Sequence, residues 1–309
     1  MGWVQDPSRG LVTKKKRNWK EYNESLVRRG ELLFDTDFLS GWKDELRRIN
    51  DGKEGARYRY PSSLMSMLAA IHVYLLPYRQ LEGFVRTLSE RVEELGRGVP
   101  DFTTIYYRIS NMNVELDPDV DLNQDVTIAV DATGIKVSNR GEWIRHKWKV
   151  QRGFVKVHLA VNTKTGKIIS MEVTRENVAD GRMLRPLVEE AASSVHVVKA
   201  ICDGAYDSKE NFRTLDRMRI EPAIRVRKNS SGNANGCMPR KLVVIEQLKN
   251  FKRWKKKHGY GYRWMAESAI SSLKRTFGEH VISIKWEHIV SEMMLKASLY
   301  NLFISMNPR

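Results

Sequence analysis

The chain has only two cysteines, Cys202 and Cys237, in 309 residues. Two thiols can neither form a disulfide framework nor supply a tetrahedral zinc site by themselves. Its seven histidines are scattered without an HExxH-like pair, which argues against the common zinc-hydrolase arrangement. Long apolar runs are missing as well: stretches such as Leu68 to Pro77 are too short and too interrupted to span a bilayer. The opening MGWVQDPSRG has no apolar h-region, so a reducing, cytoplasmic setting is expected. Internal repeats and extended low-complexity tracts are not visible.

Acidic charge is the other shortage. Against 37 Asp and Glu stand 53 Lys and Arg, a formal net charge of +16 with a pI near 9.8. Such an excess attracts polyanions, and nucleic acid is the commonest of them. A positive surface kept for colloidal reasons is the plainer alternative. Membrane surfaces fit less well, because no amphipathic basic helix stands out. With 41% hydrophobic and 29% charged residues, the chain has the composition of a folded protein, long enough for a large domain and a smaller one.

Apolar spacing divides the chain near residue 120. The first part, 1–120, reads as helices and turns. Asn18 to Arg28 is a short polar helix, and Pro61 to Leu76 carries Leu64, Met65, Leu68, Ala69, His72, Leu75 and Leu76 at helical spacing. His72 in that stripe is expected to be a core histidine. Arg79 to Leu95 forms another stripe, broken by Gly96, Gly98 and Pro100, and Asp101 then caps FTTIYYRIS. Helix, break, helix is the layout of a helix-turn-helix, in which Thr103, Thr104, Tyr107 and Arg108 would face a DNA groove; any αα-hairpin gives the same pattern. LDPDVD, 116–121, reads as the linker.

From about residue 125 the period changes to two. Strands are expected at Val126 to Val130, Phe154 to Val161 and Ile168 to Val173, the last two joined by the hairpin signal NTKTG. A helix at Asp180 to Ala192, the buried strand VVKAICD, a helix at Ser208 to Met218 and a strand at Pro222 to Val226 follow. This order predicts an α/β domain over 121–309, an RNase H-like mixed sheet flanked by helices, after an all-α N-terminal region. A basic insertion at about 229–258 reads as a mobile arm, with Lys255, Lys256 and Lys257 crowding its end.

Asp131 in IAVDATG and Asp203 in AICDGAYD each follow an apolar strand. Carboxylates at neighbouring strand ends stand on a rigid base and present oxygen, the donor that Mg2+ and Mn2+ prefer. Either aspartate alone fits an ordinary turn equally well. A third acid, Glu267, lies in YGYRWMAESAISSLKRTFG, whose Ala266, Ile270, Leu273 and Phe277 mark an apolar helix face. At 3.6 residues per turn, Tyr260, Arg263, Glu267 and Lys274 would share one narrow sector of that helix. An exposed face with intrahelical ion pairs is the simpler reading of such a stripe.

The spacing of Tyr260, Arg263, Glu267 and Lys274 resembles the signature around the third acid of prokaryotic insertion-sequence DDE transposases. VDATGIKV, Arg152 to Asn162, VADGRMLRPLVE and CDGAYDS, in that order, are similar to the insertion-sequence-five group, as are WKEYNESLVRRGEL and PDFTTIYYRIS. The resemblance covers most of the chain. It departs from relatives that carry a long β insertion before the glutamate helix, since only Asn229 to His258 lie there.

The resemblance implies Asp131, Asp203 and Glu267 as catalytic metal ligands for a pair of Mg2+ ions, or Mn2+. They would serve cleavage of double-stranded DNA at element terminal inverted repeats and strand transfer into target DNA. It further implies a homodimer or larger assembly on DNA. Arg263 and Lys274 would clamp phosphates; Tyr260 could stack, bond a phosphate or simply pack. An RNase H-like nuclease that cuts without joining is the nearest alternative. A domesticated, non-catalytic DNA-binding protein is another, though it would need none of the three acids.

Overall fold

The change from helical to two-residue spacing along the sequence is reproduced by the elements themselves. The structure is a computed structural model that describes residues 3–5, 12–14, 18–33, 38–93, 95, 98–117, 124–137, 153–233 and 236–307. Gly96, Arg152 and residues 118–121 of the expected linker lie outside the described residues. Two compact units result: Met1–Ile109 with Leu302–Arg309, and Ser110–Asn301. This division falls earlier than 120/121, and the C-terminal segment belongs with the first unit.

In the first unit a short antiparallel hairpin, β1 (Trp3–Gln5) and β2 (Val12–Lys14), precedes five helices. They are α1 (Trp19–Leu33), α2 (Phe38–Asn50), α3 (Ser62–Tyr74), α4 (Tyr78–Ser89) and α5 (Phe102–Ser110). Helix α3 is the core element, with Leu64, Met65, Leu68, Ala69 and Ile71 buried. His72 is buried beside them. Its Nδ1 lies 2.9 Å from the Leu76 carbonyl and its ring stacks on Tyr78. Asp101 caps α5 by accepting from Thr104 N–H at 2.7 Å and Thr103 Oγ1 at 2.6 Å, which holds its carboxyl below the usual range.

The second unit is built on a six-stranded sheet. Its strands are β3 (Val126–Val137), β4 (Phe154–Asn162), β5 (Ile168–Arg175), β6 (Val197–Cys202), β7 (Glu221–Ile224) and β8 (His280–Val281). The order is β5-β4-β3-β6-β7, with β8 beside the end of β3. β3, β4 and β5 are antiparallel neighbours, whereas β6, β7 and β8 join by parallel pairing. Parallel neighbours need crossovers, supplied by α6 (Leu184–Ser194) and α7 (Lys209–Arg217). Three antiparallel strands followed by two parallel ones make the mixed sheet RNase H-like. Val126, Ile128, Val130, Ala160, Leu187 and Leu215 share its main core.

Three further helices complete this part: α8 (Met238–Lys257), α9 (Trp264–Phe277) and α10 (Trp286–Ser305). The expected mobile arm is corrected here. Residues 238–257 are helical, broken only at Asn250 (φ −163, ψ 94), with Val243, Val244 and Trp254 buried. In α10, Glu292 and Lys296 form an ion pair at 2.8 Å with both side chains almost fully buried. No helix among the described residues is long and apolar enough to cross a membrane.

Candidate active site

Strand register brings the two aspartates together. Val130 pairs with Cys202 in the parallel β3–β6 ladder, so Asp131 and Asp203 are the next residues on neighbouring strands. Paired residues of parallel strands share a face, so two-residue alternation turns both aspartates to one common face. Asp131 does not end its strand, as the sequence led us to expect. β3 continues through Gly134 to Val137. What ends is its pairing with β6, and β8 takes up that edge only at Lys136. The turn Tyr260–Arg263 and helix α9 pack along this part of the sheet.

Asp131 is largely buried and accepts from Ala132 N–H at 2.9 Å. Burial, and then the negative charges of Asp203 and Glu267, push its carboxyl above the usual value despite Ala132 N–H and Arg263. Asp203 caps the turn Gly204–Tyr206, accepting from Ala205 N–H at 2.8 Å. Glu267 lies in the first turn of α9 with its side chain half exposed. Arg263 binds Glu267 and comes within 3.7 Å of Asp131, so a guanidinium stands between these two acids.

Two cavities meet at Glu267. One, of about 540 Å³, is bordered by Asp203, Glu267, Arg263, Tyr260 and Lys255, among others. The second, of about 550 Å³, is bordered by Asp131, Glu267, Ser271, Lys274 and Arg275. The donors are carboxylate oxygens, the set that suits hard divalent cations. As the side chains stand, no three metal-binding groups among the described residues are close enough to hold one ion. The shared cavities and the mutual repulsion felt by Asp131 are what fit this donor set to cations.

The other sequence-expected residues separate. Tyr260 does not continue the α9 stripe, because residues 260–263 form a 3-10 turn after Gly259 at φ 63. Its ring is buried against Trp254 at 5.1 Å, and burial raises its hydroxyl to about 12. The ring thus packs in the core, while the residue also borders the first cavity. Lys274 and Lys255 border the cavities, Lys256 is exposed, and Lys257 is bonded to Glu246 at 2.7 Å. Tyr107 is exposed on α5. Arg108 is not available as a groove-reading side chain: it donates to the Tyr60 carbonyl at 3.1 Å and Ser62 Oγ at 3.2 Å, over the Tyr58 ring.

Sequence reasoning passed over Asp207, whose buried carboxylate takes two bonds from Arg240, at 2.7 and 2.9 Å. This pair ties the turn after Asp203 to the start of α8. It lies inside CDGAYDS, where attention went to the first aspartate. Arg225 was also missed, although it follows the apolar end of β7 just as Asp203 follows that of β6.

A family profile described as "Transposase DDE domain" matches residues 122–302, more than half of the chain. The chain belongs to the DDE transposases. A second profile with the same description matches residues 27–140 of this transposase, and the first spans all three acids. Among solved structures, the chain is similar to piggyBac transposase in a synaptic complex with hairpin DNA, at 11% identity and a TM-score of 0.36, over 91% of this chain and 74% of that one. It is also similar to the Drosophila P element transposase in a strand transfer complex, at 12% identity and a TM-score of 0.30, over 91% and 71%. Membership of the family rests on the match over residues 122–302.

Proposed function

We propose that this transposase cuts DNA at the ends of a mobile element and joins them to target DNA, using Asp131, Asp203 and Glu267 as ligands for Mg2+ or Mn2+. The observation that supports the reading is the β3–β6 register, which sets Asp131 and Asp203 at adjacent positions on neighbouring strands, each bordering a cavity that Glu267 also borders. Bound divalent cations supply Lewis acidity for in-line substitution at phosphorus, by activating water or a DNA 3′-hydroxyl and stabilising the leaving oxygen. Asp131 and Asp203 hold their positions from the sheet, so little reorganisation is needed on the rigid side. Glu267 is half exposed and is the adjustable member. Arg263 supplies positive charge between Asp131 and Glu267 and would be free to bind a phosphate with the acids occupied by cations. Lys274 faces the same space and steadies the strand.

The exposed Tyr107 and the α4–α5 pair are assigned to DNA reading, and the exposed Lys255 and Lys256 to phosphate contacts. The basic excess and the absence of a membrane-crossing helix among the described residues support a nucleoid-associated, cytoplasmic place and DNA as partner. A pairing of two element ends in a dimer or larger assembly is part of the same proposal, as the resemblance to the family implies.

Asp131→Asn, Asp203→Asn and Glu267→Gln test the reading with pre-cut and uncut DNA ends. Each should lose cleavage and joining while keeping DNA binding. Equal loss of binding would mark the acids as structural, and cleavage without joining in the parent would favour the RNase H-like nuclease.

A further inference from the structure

Two parallel strands, β6 and β7, end side by side where the pairing of β3 with β6 stops. Val130 pairs with Cys202, and Cys202 with Ile224; the residues that follow are Asp131, Asp203 and Arg225. The ladder holds to that point, since Arg225 N–H donates to the Cys202 carbonyl at 3.2 Å. Residues paired across parallel strands face the same way, so Val130, Cys202 and Ile224 share one face, and alternation sends the three following side chains to the other. Arg225 therefore occupies, one strand over, the place that the aspartates hold.

Its surroundings suit an anion. Arg225 borders the 540 Å³ cavity beside Asp203 and Glu267, together with Arg227, Lys228 and Lys255. Several cations elsewhere in this unit are tied to carboxylates, Arg240 to Asp207, Lys156 to Asp180, Lys199 to Glu221 and Lys257 to Glu246. Among the described residues, Arg225, Arg227, Lys228 and Lys255 form no ion pair. Like charges gathered on a concave wall repel one another, and the low-dielectric surface focuses their field into the cavity. The guanidinium of Arg225 also lies over the Phe251 ring, 5.5 Å from its centre, which orients its planar fork.

We propose that this cavity binds the DNA phosphate next to the scissile one, with Arg225 as its principal ligand. The strand being cut then runs past Asp131 on β3 and across the ends of β6 and β7, its reacting phosphate at the acids and its neighbour at Arg225. A planar guanidinium can hold two phosphate oxygens at once, which fixes the strand's rotation as well as its position. The inference rests on the DNA-cutting reading given above.

The full chain is titrated with a fluorescein-labelled duplex of random sequence in Ca2+, at several salt concentrations, and nicking of supercoiled plasmid is read separately in Mn2+. Arg225→Gln should weaken duplex binding about tenfold and flatten the slope of log K against log salt by about 0.9, one phosphate contact. Arg225→Lys keeps the charge and should restore the slope. Lys164→Gln is the control. Lys164 is exposed on the β4–β5 hairpin, next to the start of β3 and so at the opposite end of the sheet, and its removal should leave the slope unchanged. A parental slope in Arg225→Gln, or equal flattening in Lys164→Gln, overturns the assignment. If Arg225→Gln does not fold, Lys228→Gln and Lys255→Gln carry the same expectation, and parental slopes in both overturn it. A parent chain that neither binds duplex nor nicks plasmid sinks the DNA-cutting reading, and this inference with it. Binding and nicking by the parent with an unaltered slope in the variant sinks this inference alone.

Discussion

Removing Arg240 should cost more stability than removing its partner Asp207, although both substitutions break the same ion pair. The Asp207 side chain is 0% exposed, whereas that of Arg240 is 20% exposed. Arg240→Ala leaves a carboxylate inside the protein with only Arg227 N–H at 3.0 Å and Ser230 Oγ at 3.4 Å. Orphaning a buried charge costs about 3–5 kcal/mol. Asp207→Asn leaves a guanidinium that water can partly reach and an amide oxygen that still accepts one bond; the cost should be about 2 kcal/mol. In a unit of this size each kcal/mol moves the melting temperature by about 2–4 °C. Differential scanning calorimetry should therefore separate the two variants by several degrees, with Arg240→Ala the lower. The pH dependence has a definite sign. Burial raises the Asp207 carboxyl, but Arg240 and Arg227 N–H outweigh it and leave the pKa lowered. A lowered carboxyl pKa gives stability that is full above about pH 4, the unfolded value, and is lost as pH falls through the folded value. The gap between parent and Arg240→Ala should close in acid. Equal costs, or a larger cost for Asp207→Asn, would refute the argument from burial.

Glu292→Gln breaks an ion pair whose side chains are 5% and 4% exposed, and should cost about 3 kcal/mol or more in urea unfolding. Burial pushes Glu292 up, yet Lys296 and the N–H groups of Ser283 and Ile282 hold it below the usual range; its stabilisation, too, should disappear only as pH falls below the ordinary glutamate value. Arg108→Ala should lower the melting temperature without changing preference among DNA sequences, and Tyr107→Ala should do the reverse, as read by fluorescence anisotropy. Tyr260→Phe should melt close to the parent and Tyr260→Ala should lose about 3–5 kcal/mol; a large loss in the phenylalanine variant would show that the hydroxyl, rather than the ring, is what matters.

The sheet was legible because its strands bury one or both faces. Apolar runs such as Ile168 to Val173 admit few other readings, and the NTKTG hairpin joins β4 to β5 where expected. Helix α8 was not legible for the opposite reason. Leu242, Ile245 and Leu248 are exposed, so its apolar residues do not mark an inward stripe, and its lysines look like those of a solvated arm. β3 runs on beyond the expected Val126 to Val130, and Gly134 lies inside it, since a glycine in a strand need not be a turn. The stripe from Tyr260 to Lys274 failed at one end for a local cause: Gly259 takes a left-handed conformation and Gly261 follows, so the regular helix starts only at Trp264. Spacing alone located Glu267 on its helix. That Arg263 stands between Glu267 and Asp131 depends on how α9 packs on β3, which no local pattern carries.

The central claim is that Asp131, Asp203 and Glu267 act together as ligands for divalent cations. Mn2+ titration followed by electron paramagnetic resonance, with a random-sequence duplex present, measures this without requiring turnover. The account predicts that Asp131→Asn, Asp203→Asn and Glu267→Gln each lower Mn2+ affinity at least about tenfold, with melting temperatures close to the parent. Parental affinity in all three variants would contradict it.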